Sequence, residues 1–275
     1  MRRSATGQRP TDGAAVCRRR TVLLGALAAA ATACTPTTPG GPPDMGTSTT
    51  RAGSGPRLAA RPPATPPIAD DPQPGVRVLD LGPGPEVLLR VPPGLDDGTP
   101  ARLVLSLHGA GGDATAGLAP LAPVADAHRL LLLAPGSRGS TWDAVRGGWG
   151  PDVRRVDDAV AQVLAAFPVD PARLAISGFS DGASYALSLG LANADLFTHV
   201  LAFSPGFVVP VPRTGTPSVY ISHGRADRVL PIDRTTRRIV ASLRSADIPV
   251  EVREFDGPHV VPAAIAEEAA RHLGA

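Results

Sequence analysis

The sequence predicts an α/β fold built on a mostly parallel sheet with helices on both faces. Three observations carry this expectation. Short apolar or β-branched runs recur along the chain, amphipathic helical patterns separate the later ones, and only a short Gly-Pro turn separates the first two. The runs at 76–81 and 86–91 therefore predict an antiparallel hairpin, because so short a turn cannot carry a parallel crossover. The later runs lie at 103–107, 130–133, 174–176, 200–203, 219–221 and 250–255, and the helical patterns between and after them at 115–128, 152–167, 181–193, 232–246 and 262–273. That alternation predicts parallel strands joined by helical crossovers, and runs such as the four leucines at 130–133 suit strands buried on both faces. The run at 200–203 leads instead into the Pro-rich segment 204–217, which is too short for a lid domain. In such a sheet, function is expected in the loops that follow the strands' C-terminal ends.

The chain has 275 residues, enough for one domain or two, and its 43% hydrophobic content can build a sizeable core. A formal charge of +2 argues against a basic nucleic-acid binder, although all 27 basic residues are Arg. The charge is unevenly spread: residues 1–33 hold six Arg against Asp12, 34–69 hold three against Asp44, and 70–275 hold 18 against 23 acids. The positive excess therefore belongs to the N-terminus. There Arg18-Arg19-Arg20 runs into an apolar stretch from Thr21 that is shorter than the ~20 residues of a membrane span. It ends at Ala31-Thr32-Ala33, the small-residue exit of an export signal, and Arg19-Arg20-Thr21-Val22-Leu23 resembles a twin-arginine address. Cys34 follows where a bacterial lipobox cysteine would stand, so it is the expected lipid anchor, and the mature protein is expected at the cell surface as a lipoprotein or secreted.

Cys17 and Cys34 are the only cysteines, which excludes a disulfide, a thiolate nucleophile or a Cys-ligated metal from the folded part. Eleven prolines between 35 and 74, with few large apolar side chains, predict a semi-extended linker. The expected organisation is an export signal over 1–33, a linker over 34–74 and a folded domain over 75–275.

The chemistry centres on Gly178-Phe179-Ser180-Asp181-Gly182, a G-x-S-x-G sequence leaving a strand and entering a helix. Such an elbow lifts a serine Oγ out of the sheet edge, and the helix N-terminus favours developing negative charge. A nucleophilic Ser180 needs a base and the base an orienting acid. His259 stands in a loop between the last strand and the last helix, and Asp227 in the loop after the preceding strand. Asp233 and Asp256 are rival acids, disfavoured because the first should lie within a helix and the second is close to His259 along the chain. His128, His199 and His272 have structural explanations at helix and strand ends, and His223 is placed to brace the acid loop. Two backbone N–H groups should stabilise an oxyanion: that of Asp181, and that of Ala110, with Gly111 next, in the glycine-rich turn 108–113. Trp142 and Trp149 fall in one long loop, 135–150, and Trp142, with Trp149 after it, is expected to wall the acyl or alcohol pocket; packing of the loop onto the core is the alternative. No metal or cofactor is expected.

Together, His108-Gly109-Ala110-Gly111-Gly112, the Ser180 elbow, His223-Gly224 with Asp227, Val229 and Pro231, and Gly257-Pro258-His259 resemble the phospholipase/carboxylesterase family of α/β-hydrolases, and are similar to polyhydroxybutyrate depolymerase-like esterases. The resemblance covers about residues 76–273 and implies the α/β-hydrolase fold, small-molecule ester substrates, Ser180 as nucleophile, Asp227 as acid, His259 as base and Ala110 with Asp181 as oxyanion donors. Many relatives have Gln where Asp181 stands, so a carboxylate beside the nucleophile could alter pH dependence or disfavour anionic substrates. The expected function is an exported serine hydrolase of short to medium acyl esters. A polyester depolymerase or feruloyl-type esterase, a serine peptidase, and a non-catalytic surface lipoprotein are the alternatives.

Overall fold

The computed structural model describes residues 55–69 and 72–274. The expected export signal and Cys34 lie outside the described residues. Among the described residues eight strands form one sheet: β1 (Gly75–Val78), β2 (Val87–Val91), β3 (Arg102–Leu107), β4 (Leu130–Pro135), β5 (Ala175–Phe179), β6 (His199–Phe203), β7 (Ser218–Gly224) and β8 (Val250–Phe255). Their spatial order is β1-β2-β4-β3-β5-β6-β7-β8. The hairpin β1–β2 and the β2–β4 pair are antiparallel, and every other pair is parallel.

Among the described residues six α-helices cover the two faces. α1 (Ala114–Leu118), α2 (Ala122–Ala125) and α6 (Ala263–His272) pack with Val104, Leu132, Leu201 and Tyr220 on one face. α3 (Pro151–Ala166), α4 (Asp181–Ala192) and α5 (Thr236–Arg244) pack with Leu103, Leu105, Ile176 and Ile221 on the other. The alternate residues Leu103 and Val104 thus face opposite layers, as the two-residue period of a strand requires. β4 is buried from end to end and β5 at all but its last residue, Phe179, which explains their mostly apolar sequence.

Three expectations change. The helix read over 115–128 is two short ones, because Pro120 has no N–H for the helical ladder and Pro123 opens a new first turn in α2. The helix read over 232–246 begins with a separate 3₁₀ turn, Ile232–Arg234, and α5 starts only after Thr235 leaves helical geometry. Part of the stretch read as linker is docked. Leu58 and Ala60 are buried; the Leu58 N–H donates to Asn193 Oδ1 at 2.8 Å, and the N–H groups of Ala59 and Ala60 donate to Asp157 Oδ1 at 2.9 and 2.8 Å. Arg57 completes this strap with a two-pronged pair to Asp195, each N–O distance 2.8 Å.

Candidate active site

The loops after β3, β5, β7 and β8, all at C-terminal strand ends, bring the chemistry-bearing residues to one edge of the sheet. Ser180 lies between β5 and α4 with φ 57° and ψ −118°, a strained backbone for a residue with a Cβ. The strain is held from several sides. The Ser180 N–H donates to Phe203 O at 2.9 Å, while Ser180 O accepts from the N–H groups of Ala183 and Ser184. A Cβ on Gly178 would collide with the carbonyl of Gly182, and one on Gly182 with the carbonyls of Leu107 and His108. Both positions of the elbow therefore exclude any larger residue.

Asp227 and His259 meet across 32 residues of chain. His259 Nδ1 lies 2.5 Å from Asp227 Oδ2, and since a carboxylate only accepts, Nδ1 carries the proton and Nε2 is left with its lone pair. Asp227 Oδ1 accepts from the N–H groups of Val229 and Leu230, both at 2.8 Å. Burial opposes the charge on Asp227, but the N–H bonds and the adjoining His259 outweigh it and hold the carboxyl below its usual range. The two loops are tied through their backbones, the Ala226 N–H donating to Gly257 O at 3.0 Å, and a Cβ on Gly224 would strike the carbonyls of Gly257 and Pro258. The rival acids are elsewhere: Asp233 and Asp256 are largely exposed and pair with Arg237 and Arg225. The His259 ring packs on Phe179, centroids 4.6 Å apart, beside Ser180.

His223 sits beneath the acid, wholly buried. Its Nε2 is 2.7 Å from Leu230 O and 3.0 Å from Asp227 Oδ2, and its Nδ1 is 2.7 Å from Thr236 Oγ1. Two acceptors on Nε2 and a hydroxyl on Nδ1 fit a neutral ring protonated at Nε2. Burial, the main cause, pushes its pKa down and keeps it neutral. His128, His199 and His272 are all remote from the elbow, in contacts with Glu267, Thr198 and Glu251 respectively.

The turn after β3 supplies the other N–H candidate. His108, fully buried, accepts the Ser137 N–H on Nε2 at 3.0 Å, so its Nδ1–H donates to Gly109 O at 2.7 Å. This fixes the Gly109–Ala110 peptide plane and with it the Ala110 N–H. Gly111 differs from the expectation, because its N–H already donates to Ser140 O at 2.6 Å. Trp142 also differs. It is completely buried, so its ring presents no wall to an open pocket. Its ring stacks 5.1 Å from Tyr185 and 4.8 Å from His108, and its Nε1–H donates to His108 O at 2.9 Å. Trp149, half-buried, packs on the other side of Tyr185 at 5.3 Å.

Several supporting residues have no distinctive sequence signal. Asp143 and Asp152 exchange reciprocal backbone bonds, each 2.9 Å, that close the 143–152 segment, and Tyr185 Oη donates to Asp143. Burial foremost raises the Asp152 pKa. Thr141 Oγ1 donates to Asp181 Oδ2 at 2.8 Å, tying the carboxylate beside the elbow to the same loop. In sequence such loop acids look like solvated ones. Among the described residues no group of three or more His, Cys, Asp or Glu side chains could hold a metal ion.

The Esterase family model matches residues 158–237, a span containing the elbow and Asp227. Feruloyl esterase C of Emericella nidulans is 30% identical over 159 residues, 54% of this chain and 57% of that protein, so the chain spans little more than half the length of the curated relatives it matches. The crystal structure of esterase PE8 superposes with a TM-score of 0.53 at 24% identity, covering 64% of this chain and 95% of that one. A Bacillus cereus carboxylesterase gives 0.54 at 18% identity, covering 68% and 92%. With its strand order and strained Ser180, the chain has the α/β-hydrolase fold and is similar to small esterases built on that fold.

Proposed function

We propose that the protein is an exported serine hydrolase that cleaves carboxylic esters of short to medium acyl length. The observation that carries this reading is the Asp227–His259 pair, oriented with Nε2 unprotonated and packed against the residue before Ser180. Ser180 Oγ attacks the ester carbonyl while His259 Nε2 takes its proton, and that proton then goes to the departing alkoxide. Water, deprotonated by the same nitrogen, attacks the acyl-enzyme and releases the acid and Ser180. The N–H groups of Asp181 and Ala110 face the oxyanion; neither has a hydrogen-bond partner within the described residues. The leader 1–33, the Pro-rich stretch and Cys34 support export with or without lipidation.

A fluorophosphonate probe should label the protein at Ser180, and a panel of esters of graded acyl length should be hydrolysed with an optimum at the shorter end. An unlabelled, inactive protein would point instead to a surface protein that only binds a ligand. Similarity to proteins named feruloyl esterase favours a second reading, in which the acyl group is aromatic; methyl ferulate turned over faster than every alkanoyl ester would select it.

Trp142→Ala is expected to lower the unfolding free energy by about 3–5 kcal/mol, the range for removing a buried aromatic. Because the ring braces the His108 turn, turnover should fall alike for every acyl length. Denaturant melts and the ester panel measure the two effects, and a loss confined to one acyl length would restore the indole to the substrate pocket.

A further inference from the structure

A groove of 420 Å³ runs between the segment after β6 and α5. Its volume lies in the range of small-molecule sites. Its floor is Leu191, Val209, Ile239, Leu243 and Ile248, and its walls include Arg213, Arg234 and Arg238, with no Asp or Glu among the lining residues. This is the reverse of the domain as a whole, where acids outnumber Arg. Arg213 Nη1 donates to Ala246 O at one end. Arg234 and Arg238, four residues apart across the start of α5, have no ion-pair partner among the described residues, and Asp233 beside them is taken by Arg237.

The larger hollow beside β8 provides the contrast. It too is rich in Arg, but three of its four, Arg225, Arg237 and Arg253, are each held by a carboxylate, Glu254 or Glu268 among them, and a carboxylate, Glu254, stands in its lining; only Arg244 there has no ion-pair partner among the described residues. The groove behind α5 has guanidinium charge left over, and an apolar floor below it.

Its walls are also built rather than loose. Ser184 Oγ and Ser188 Oγ, one helical turn apart on α4, accept the N–H groups of Gly206 and Val209, each at 2.9 Å, and so pin the outer strip of the groove to the helix that begins at Ser180. Gly206 and Thr235 close the end nearest Asp227: a Cβ on Gly206 would touch the Leu230 side chain, and Thr235 Oγ1 donates to Pro231 O.

We propose that this groove binds a single-chain carboxylate amphiphile, its tail on the Leu191–Ile239–Leu243–Ile248 floor and its carboxylate between Arg234 and Arg238. Charge complementarity selects an anionic head, and the apolar floor selects a hydrocarbon tail. An acid of this class is what hydrolysis of an aliphatic ester releases, yet the proposal concerns binding at a place separate from Ser180 and stands without the hydrolase reading.

Titration calorimetry with dodecanoate, kept below its micellar concentration, tests it on the whole chain. One site is expected, weakened at least tenfold in Arg234→Ala/Arg238→Ala and in Ser242→Trp, which places an indole in the groove from an exposed position. Dodecyltrimethylammonium, with the same tail and the opposite charge, should bind at least tenfold more weakly than dodecanoate. Fluorophosphonate treatment should leave dodecanoate affinity unchanged. Equal affinity for both amphiphiles, full affinity in both variants, or loss of binding only after covalent labelling of Ser180 would each overturn the proposal. If the probe fails to label, the hydrolase reading falls, while the variants and the cationic amphiphile still decide the groove.

Discussion

Ser180→Ala is expected to lower ester turnover by about 10⁶, the loss seen when a serine hydrolase is left without its nucleophile. At about 1.36 kcal/mol per decade this is roughly 8 kcal/mol of transition-state stabilisation. The substitution isolates the chemistry because it removes one oxygen and leaves the Cβ, the elbow and its glycines in place. Ser180 Oγ makes no structural hydrogen bond among the described residues; the elbow is held by the backbone N–H and O of Ser180. Stability and substrate affinity should therefore change little while kcat collapses. Steady-state kinetics on a preferred ester measure it, and a loss smaller than tenfold would remove Ser180 from the reaction.

Asp227→Asn should lower turnover by about 10⁴. The reason lies in which nitrogen of His259 carries the proton. Asp227 Oδ2 can only accept, so it holds His259 as the Nδ1–H form. An Asn whose Oδ1 keeps the Val229 and Leu230 N–H bonds turns its NH₂ toward Nδ1, which must then accept, and the proton moves to Nε2 where the base is needed. Asp233→Asn and Asp256→Asn should change kcat less than twofold, because both carboxylates face solvent and bind Arg side chains. A crippled Asp233→Asn beside an unaffected Asp227→Asn would reassign the acid.

How much of this was legible follows from the range of the forces involved. The central strands can be read because a strand buried on both faces needs an apolar residue at nearly every position, and the sequence at 130–133 and 174–176 has little else. Ser180, Asp227 and His259 are legible because each sits in a loop after a strand, and loop order is preserved in the sequence. Trp142 was ambiguous because its indole fits either solvent or core, and only the stacking with Tyr185 and His108 decides between them. The strap at 57–60 was hidden because its partners lie about 100 or more residues away: Asp157 and Asn193 bind backbone N–H groups, which leave no side-chain pattern, and Asp195 pairs with an Arg57 that looks like any other surface arginine. His223 was legible only as a neighbour of the acid. That Gly224 lets the His259 loop pass close by follows from atoms of Gly257 and Pro258 that no local pattern reveals.

The docked strap also sets a distance. If the chain were tethered at Cys34, the stretch between anchor and fold would end at Arg57 and not at the start of β1, Gly75. At ~3.1 Å per residue for a Pro-rich extended chain, that shortens the maximum reach from about 130 Å to about 70 Å. Under that condition a hydrolase so held would reach ester groups close to the surface that carries it and few beyond.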